Sequence, residues 1–159
     1  MADNIKLKGK NTILAKEANC FVTLNNKRYN CFHFKNLEAT LDINKTEMDV
    51  LHSFMKQHKV TGMVGKFKGE KYTVASEMRK AYKAMKDSGA IPVYSIQIVN
   101  EDRNSACGRQ EIWLYDCMDD SLVLSKLDSG DEILSESVEG TFDDWDMPEA
   151  FNLWKELEA

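Results

Sequence analysis

Long apolar runs are missing from this 159-residue chain. No segment approaches the roughly 20 consecutive apolar residues that cross a bilayer. The first ten residues contain lysines but none of the apolar character of a secretion signal. We therefore expect a protein with no membrane anchor that is made and kept in a cytoplasm, where thiols stay reduced.

Cysteine and histidine are both scarce. The chain contains four cysteines and three histidines, namely Cys20, Cys31, Cys107, Cys117, His33, His52 and His58. The cysteines form no CxxC pair and do not have zinc-finger spacing, so reduced and packed thiols are predicted. The histidines do not form an HExxH motif. A catalytic pair such as Cys31 with His52 stays open as an alternative, because catalytic partners need not be close in sequence.

An excess of basic residues is also missing. The 26 acidic and 21 basic residues give a formal net charge of −5, whereas nucleic-acid-binding proteins usually have the opposite balance. Gly62, Gly65 and Gly69 lack the Gly-Lys-Ser/Thr ending of a phosphate-binding loop. The acidic run 143–146 lacks the ligand spacing of a calcium loop and favours a solvated surface. The sequence predicts no metal, no cofactor and no enzyme.

The residues that are present predict one mainly β domain, 1–159. With 43% hydrophobic residues the chain can bury a core without disulfides or a metal. A polar lead-in occupies 1–16, and 19–24 and 27–34 favour a hairpin across Asn25 and Asn26, which tolerate positive φ. Period-2 alternation is clearest over 37–43, with one side apolar and the other polar.

The second half of the chain adds one internal helix to this strand pattern. Residues 76–89 have an apolar stripe at helical spacing, with Ser76 as a candidate N-cap and Gly89 as a stop. Further strands are predicted at 61–75, 91–99, 109–117 and 132–142, and a turn or short helical crossing at 119–126. A capping pattern with Pro148 near its start predicts a short helix over 146–158. The fold class is thus an antiparallel β-sandwich or barrel with one flanking α-helix.

An ordered series of short segments gives the chain a family resemblance. A strand with acidic residues and threonine at 37–42 is followed by a polar excursion that ends in the glycine-spaced 62–69. Residues 72–76 then enter a helix of the form Met78-x-x-Ala81-Tyr82, which closes at 86–89. A strand at 93–98, a loop that reaches 105–110 and an acidic strand that ends at 140–142 complete the series. Over this region the chain resembles the tail tube proteins of contractile-tailed phages and phage-like elements.

The resemblance implies a structural role through self-assembly. It implies a small β-sandwich whose copies form hexameric rings, which stack so that their inner sheets join around a channel. The implied partners are further copies, the tail sheath, the baseplate and the tail terminator, and DNA passes through the lumen without specific binding. The chain would act in the virion, after assembly in the cytoplasm of a bacterial host.

Three sets of residues are candidates for this role. The excursion 44–61 has no periodic core face yet carries large apolar residues, which is typical of a mobile arm that orders on a neighbouring copy; a long loop folded on its own domain is the alternative. The arm candidates are Asn44, Lys45, Glu47, Met48, Val50, Leu51, Phe54, Met55, Val60 and Met63. The candidates for an acidic lumen are Glu38, Asp42, Glu47 and Asp49. The candidates for an outward basic helix face are Arg79, Lys80, Lys83 and Lys86.

Two other interpretations stay open. A contractile bacteriocin or a type VI-like secretion system uses a related tube, and sequence alone does not separate these from a phage tail. A monomeric β-barrel that binds a small apolar ligand in its interior is a function of a different class.

Overall fold

The computed structural model describes residues 7–30, 34–130 and 132–152 and has eight strands and one α-helix there. The elements are β1 (Ala18–Leu24), β2 (Lys27–Asn30), β3 (Phe34–Met48), β4 (Gln57–Tyr72), α1 (Glu77–Ser88), β5 (Tyr94–Glu101), β6 (Arg109–Asp119), β7 (Ser135–Phe142) and β8 (Asp144–Glu149). The predicted mainly β fold with one helix is confirmed. None of the helices in these residues is long and apolar enough to cross a bilayer.

All strand pairs in the sheet are antiparallel, and the order is β2-β1-β5-β6-β7-β4-β3, with β8 paired to β6 beside this path. Strand β6 belongs to both halves of the sheet. Its first part pairs with β5 and β8, and its last two residues, Met118 and Asp119, pair with β7. The ends of the sheet do not join, so within the described residues it is not closed into a barrel.

The core lies between the two halves of the sheet. Phe67 of β4 meets Tyr94 of β5 edge to face, with ring centroids 6.2 Å apart. Val22, Ile96 and Leu114 from β1, β5 and β6 are almost completely buried in the same cluster. Because successive side chains of a strand point to opposite faces, one face of each strand packs inward.

Helix α1 packs on this core through Met78, which is buried. Gly89 ends the helix as predicted, with φ of 77° and its N–H bonded to the Met85 carbonyl at 2.7 Å. The predicted cap at Ser76 is wrong, because its side chain makes no capping hydrogen bond.

The hairpin turn at Asn25 and Asn26 is confirmed, with φ of 51° and 62°. Two of the glycines in β4 are required by close approach of neighbouring groups. A Cβ at Gly65 would overlap the Phe142 ring, and one at Gly69 would overlap the Asn36 carbonyl. Gly62 has open space around it.

The start of the predicted C-terminal helix is wrong. Residues Asp144–Glu149 form β8, in which Asp146 pairs with Trp113 and Glu149 with Glu111. The free edge of β6 supplies backbone partners to this segment, and Pro148 is tolerated because β8 itself lies at an edge. Residues 153–158 of that predicted helix lie outside the described residues. The predicted crossing at 119–126 contains no helix; beyond Asp119, where β6 ends, it is irregular.

Candidate functional site

Strands β3 and β4 form a hairpin that extends well beyond the rest of the sheet. They contain 15 and 16 residues and pair from Phe34 opposite Lys71 to Met48 opposite Gln57. Strand β7 covers β4 only from Gly65 to Tyr72. Residues 43–64, which we call the distal hairpin, therefore form a two-stranded ribbon with a turn at 49–56.

The distal hairpin exposes a dense group of large apolar side chains. These are Ile43, Met48, Val50, Leu51, Phe54, Met55, Val60, Met63 and Val64. Phe54 is fully exposed and Leu51 is 88% exposed. A soluble chain rarely leaves so many contiguous apolar groups in water unless another molecule covers them. The distal hairpin is therefore the candidate functional site.

All ten residues predicted for the arm lie exposed on or beside this ribbon. They are not packed on the body of the domain. The segment differs from the expected mobile arm in one respect, since it is paired strand and turn from 43 to 64. The hydrophobic pattern of this segment did not reveal the strands, because neither of its faces packs on a core. The two strands are held instead by backbone hydrogen bonds to each other.

Exposed polar contacts hold the turn of the hairpin. Lys56 lies 3.4 Å from Glu47 and 4.0 Å from Asp49, and the Ser53 hydroxyl donates to the Met55 carbonyl at 3.1 Å. Each such exposed contact contributes little free energy. The order of the hairpin comes mainly from its backbone ladder, and its apolar side chains stay uncovered.

The predicted acidic residues are only partly brought together. Glu38 and Asp42 share one exposed face of the sheet, whereas the alternation of β3 puts Glu47 on the other face and Asp49 lies in the turn. On the shared face Glu38 lies opposite Lys68, which lies opposite Glu139.

Lysines reduce the negative charge of that face. Lys66 Nζ lies 2.9 Å from the Asp42 carboxylate, and this hydrogen bond and the charge of Asp42 raise the pKa of Lys66. The four carboxylates of Glu38, Asp42, Glu70 and Glu139 are thus accompanied by three lysines, namely Lys66, Lys68 and Lys35, whose Nζ lies 3.8 Å from Glu70. Sequence reasoning missed the lysines because strand register is not visible within one strand.

Of the four residues predicted for the basic helix face, Lys80, Lys83 and Lys86 are exposed, whereas Arg79 is half-buried. Arg79 points toward the sheet and forms an ion pair with Glu136, whose side chain is only 3% exposed. It also donates from Nε to the carbonyls of Val123 and Leu124, both at 3.0 Å. The buried carboxylate draws this cation inward, because an unpaired buried charge is costly.

A buried polar network continues beneath the helix. Lys71 Nζ lies 3.3 Å from Glu136, and Asp119 accepts hydrogen bonds from the hydroxyls of Tyr82 and Tyr94. Burial raises the pKa of Asp119, although these two hydrogen bonds oppose the shift. Burial also raises the pKa of Tyr82 to about 12. The network joins α1, β4, β6 and β7, and each of these groups has a partner inside the protein.

Within the part of the chain that the structure describes, the candidates for chemistry are not assembled into a site. No group of three metal-ligating side chains occurs within residues 7–30, 34–130 and 132–152. Cys31 and His33 lie outside the described residues, and His52 lies in the turn of the hairpin. In the acidic run 143–146, the carboxylates of Asp144 and Asp146 each accept a hydrogen bond from the N–H of the following residue, both at 2.8 Å.

Comparison with known proteins agrees with this geometry. The fold is similar to that of the anti-feeding prophage cap, which terminates a tube, with a TM-score of 0.67 at 14% identity over 94% of this chain and 97% of that one. It is also similar to a chain of the sheath-tube complex of an extracellular contractile injection system, with a TM-score of 0.59 at 10% identity over 92% and 93% of the two chains.

Relationship in sequence goes further than the fold. The phage-like element PBSX protein XkdM of Bacillus subtilis (strain 168) is 34% identical over 143 residues, which are 90% of this chain and 95% of the relative. The family model described as phage tail tube protein matches residues 5–149. The chain therefore belongs to the phage tail tube protein family.

Proposed function

We propose that this chain assembles into hexameric rings that stack as the inner tube of a contractile phage-like tail and conduct DNA into the host. Its family makes it a structural, non-enzymatic component of a tail. The observation that carries the assembly proposal is the distal hairpin, whose apolar side chains are ordered but uncovered. Further copies of the chain are the partner that covers it.

Open sheet edges support lateral association within a ring. Strands β2 and β3 stand at the two ends of the strand order, and β8 also lies at an edge. Their unpaired backbone groups can bond to an edge strand of another copy, which extends the sheet from one chain to the next. A ring closed in this way leaves no such edge free to aggregate.

The face that bears Glu38 and Asp42 is the one we assign to the lumen. Its four carboxylates outnumber the three lysines beside them, which leaves a small negative excess on each chain. Repulsion of a DNA backbone by these charges decays over about 8 Å at physiological salt. A mildly acidic wall of this kind lets DNA pass without specific binding. Glu47 and Asp49 belong to the distal hairpin and not to this wall.

The exposed lysines of α1 are assigned to the outside of the tube. Lys80, Lys83 and Lys86 point away from the sheet, so they are available to an acidic surface of the surrounding sheath. The baseplate and the terminator would contact the two ends of the stack. Assembly takes place in the cytoplasm of the host, before the particle is released.

A tube of a contractile injection system, without DNA, is the second candidate, and the fold likeness to such tubes favours it. The structure does not support a monomeric barrel that binds a ligand in its interior, because the ends of the sheet do not join within the described residues.

Electron microscopy and light scattering over a concentration series test the proposal. We expect rings or hollow tubes with a central channel, and tubes that elongate when preformed tail tips are added as nuclei. A chain that remains monomeric at every concentration, with and without such nuclei, would overturn the proposal. DNA found in intact particles that carry these tubes would identify a phage tail and not an injection device.

A further inference from the structure

A second exposed apolar surface lies in the connection between β6 and β7. We call residues 121–130 and 132–134 the strap. Three of its side chains are largely in water, namely Leu124, Leu127 and Ile133, at 75%, 99% and 76% exposure. A recess of about 160 Å³ is lined by residues 126–128 and 132–135.

The strap is nevertheless held in a defined position. Arg79 donates to the carbonyls of Val123 and Leu124, and Lys126 Nζ donates to the Ser135 carbonyl at 2.9 Å. The Gly130 N–H donates to the Asp128 carboxylate at 3.0 Å. An apolar surface fixed by hydrogen bonds costs less entropy to bind than one that must first be ordered.

The strap and the tip of the distal hairpin lie at opposite ends of β4. The Thr73 N–H bonds to the Leu134 carbonyl at 3.0 Å, which places the end of the strap beside the last residues of β4. The turn 49–56 precedes the first residue of the same strand. At about 3.3 Å per residue, the 16 residues of β4 separate the two surfaces by roughly 50 Å.

The two surfaces are also opposite in charge. The distal hairpin has Lys45, Lys56 and Lys59 against Glu47 and Asp49, whereas the strap has Asp128 and Glu132 against Lys126. One surface presents a projecting apolar turn with a small positive excess, and the other a fixed apolar segment with a negative excess. Two different and complementary patches on opposite ends of one chain generate an open head-to-tail stack.

We propose that the turn of the distal hairpin of one copy packs on the strap of a second copy in the adjacent ring. This inference rests on the proposed tube and names the surface that receives the hairpin. Leu51, Phe54 and Met55 contact Leu124, Leu127 and Ile133 across the junction. The hydrogen bonds from Arg79 to the carbonyls of Val123 and Leu124 set the position of the strap in each chain and thus the docking geometry.

Cross-linking in assembled tubes tests the contact. Phe54→Cys and Leu127→Cys are made in separate chains, which are mixed before assembly and treated with a short bismaleimide. Both side chains are fully or almost fully exposed, so neither change disturbs the fold. Matched controls mix Phe54→Cys with Ile91→Cys, whose position is also exposed, and each cysteine variant with the unmodified chain. The native cysteines are the same in every sample.

We expect a covalent dimer that joins residues 54 and 127, identified by mass spectrometry of its peptides and at least tenfold more abundant than in the controls. Tubes that form normally but give no excess of this product would overturn the docking inference and leave the tube proposal intact. Failure of the unmodified chain to form any tube, with or without nuclei, would overturn the tube proposal and this inference with it.

Discussion

Arg79 of α1 and Glu136 of β7 form an ion pair beneath the helix, although 57 positions separate them in the chain. The pair ties the helix to the sheet, and Nε of Arg79 donates to two carbonyls of the strap. One arginine thus connects the core of the domain to a surface that we assign to assembly.

Removal of Arg79 should destabilise the fold. In Arg79→Met the Glu136 carboxylate keeps only Lys71 as a cationic partner, so we expect a loss of about 2–3 kcal/mol in the free energy of unfolding, somewhat below the cost of a buried charge left without any partner. Lys83→Met on the exposed side of the same helix should change it by less than about 0.5 kcal/mol. Urea unfolding of the two variants measures this difference, and equal midpoints would contradict the inward role of Arg79.

Asp119 should make stability depend on pH with an unusual sign. Burial raises its pKa in the folded state, so its contribution to stability is greatest below the ordinary aspartate pKa of about 3.9 and is lost as pH rises through the folded value. Asp119→Asn cannot ionise, and its stability relative to the parent chain should increase over this interval. Unfolding of both proteins from pH 4 to 8 measures the trend, with exposed Asp128→Asn as the control. Parallel curves for the parent and Asp119→Asn would contradict it.

The glycines of β4 offer a matched pair of substitutions. A methyl group at Gly65 would overlap the buried ring of Phe142, so Gly65→Ala should cost about 1–3 kcal/mol through overpacking. Gly62→Ala enters open space and should leave the free energy of unfolding nearly unchanged or slightly higher. Thermal unfolding compares the two proteins. If Gly62→Ala proved the more damaging change, the close approach at Gly65 would not explain its residue type.

Polar substitution of the hairpin turn should separate assembly from folding. In the triple variant Leu51→Ser, Phe54→Ser and Met55→Ser, exposed side chains are replaced, so the urea midpoint should stay within error of the parent. Tube formation should be lost, since the apolar contact between rings is removed. Sedimentation and electron microscopy measure assembly. A variant that still forms tubes would show that the turn is not required, and one that unfolds would show that it supports its own domain.

Cys117 should be inert in the folded protein. Burial raises the pKa of its thiol to about 12, and the thiolate is the reactive form. At pH 8 we expect Cys117 to stay unmodified by iodoacetamide while half-buried Cys107 reacts slowly, and both to react in urea. Peptide mass spectrometry measures the extent of labelling. Rapid modification of native Cys117 would mean that its strand opens readily.

Sequence patterns predicted those elements whose partners lie nearby in the chain. The apolar stripe of α1 with Gly89 at its end, and the turn at Asn25 and Asn26, depend on local geometry and are present. The capping pattern at 146 failed because an edge of β6, more than thirty residues away, offered strand pairing instead. No local pattern contains that information.

In the candidate site too, the sequence predicted what depends on local residues and missed what depends on distant ones. The apolar residues of the excursion were identified from composition alone, yet their place on a long paired hairpin depends on register with β4. Arg79 was grouped with the outward lysines because its helical position allows exposure, and only the fold brings Glu136 beneath it. The strap was not singled out, because isolated leucines in a polar loop carry no periodic pattern.

The shared strand β6 has a mechanical consequence. A force applied to the distal hairpin along its axis reaches β7 through a ladder of eight residue pairs, which is loaded in shear and resists as a unit. From β7 it passes to β6 through only two pairs, at Met118 and Asp119. Under tension the domain should therefore yield first at this short junction, with both flanking ladders still intact.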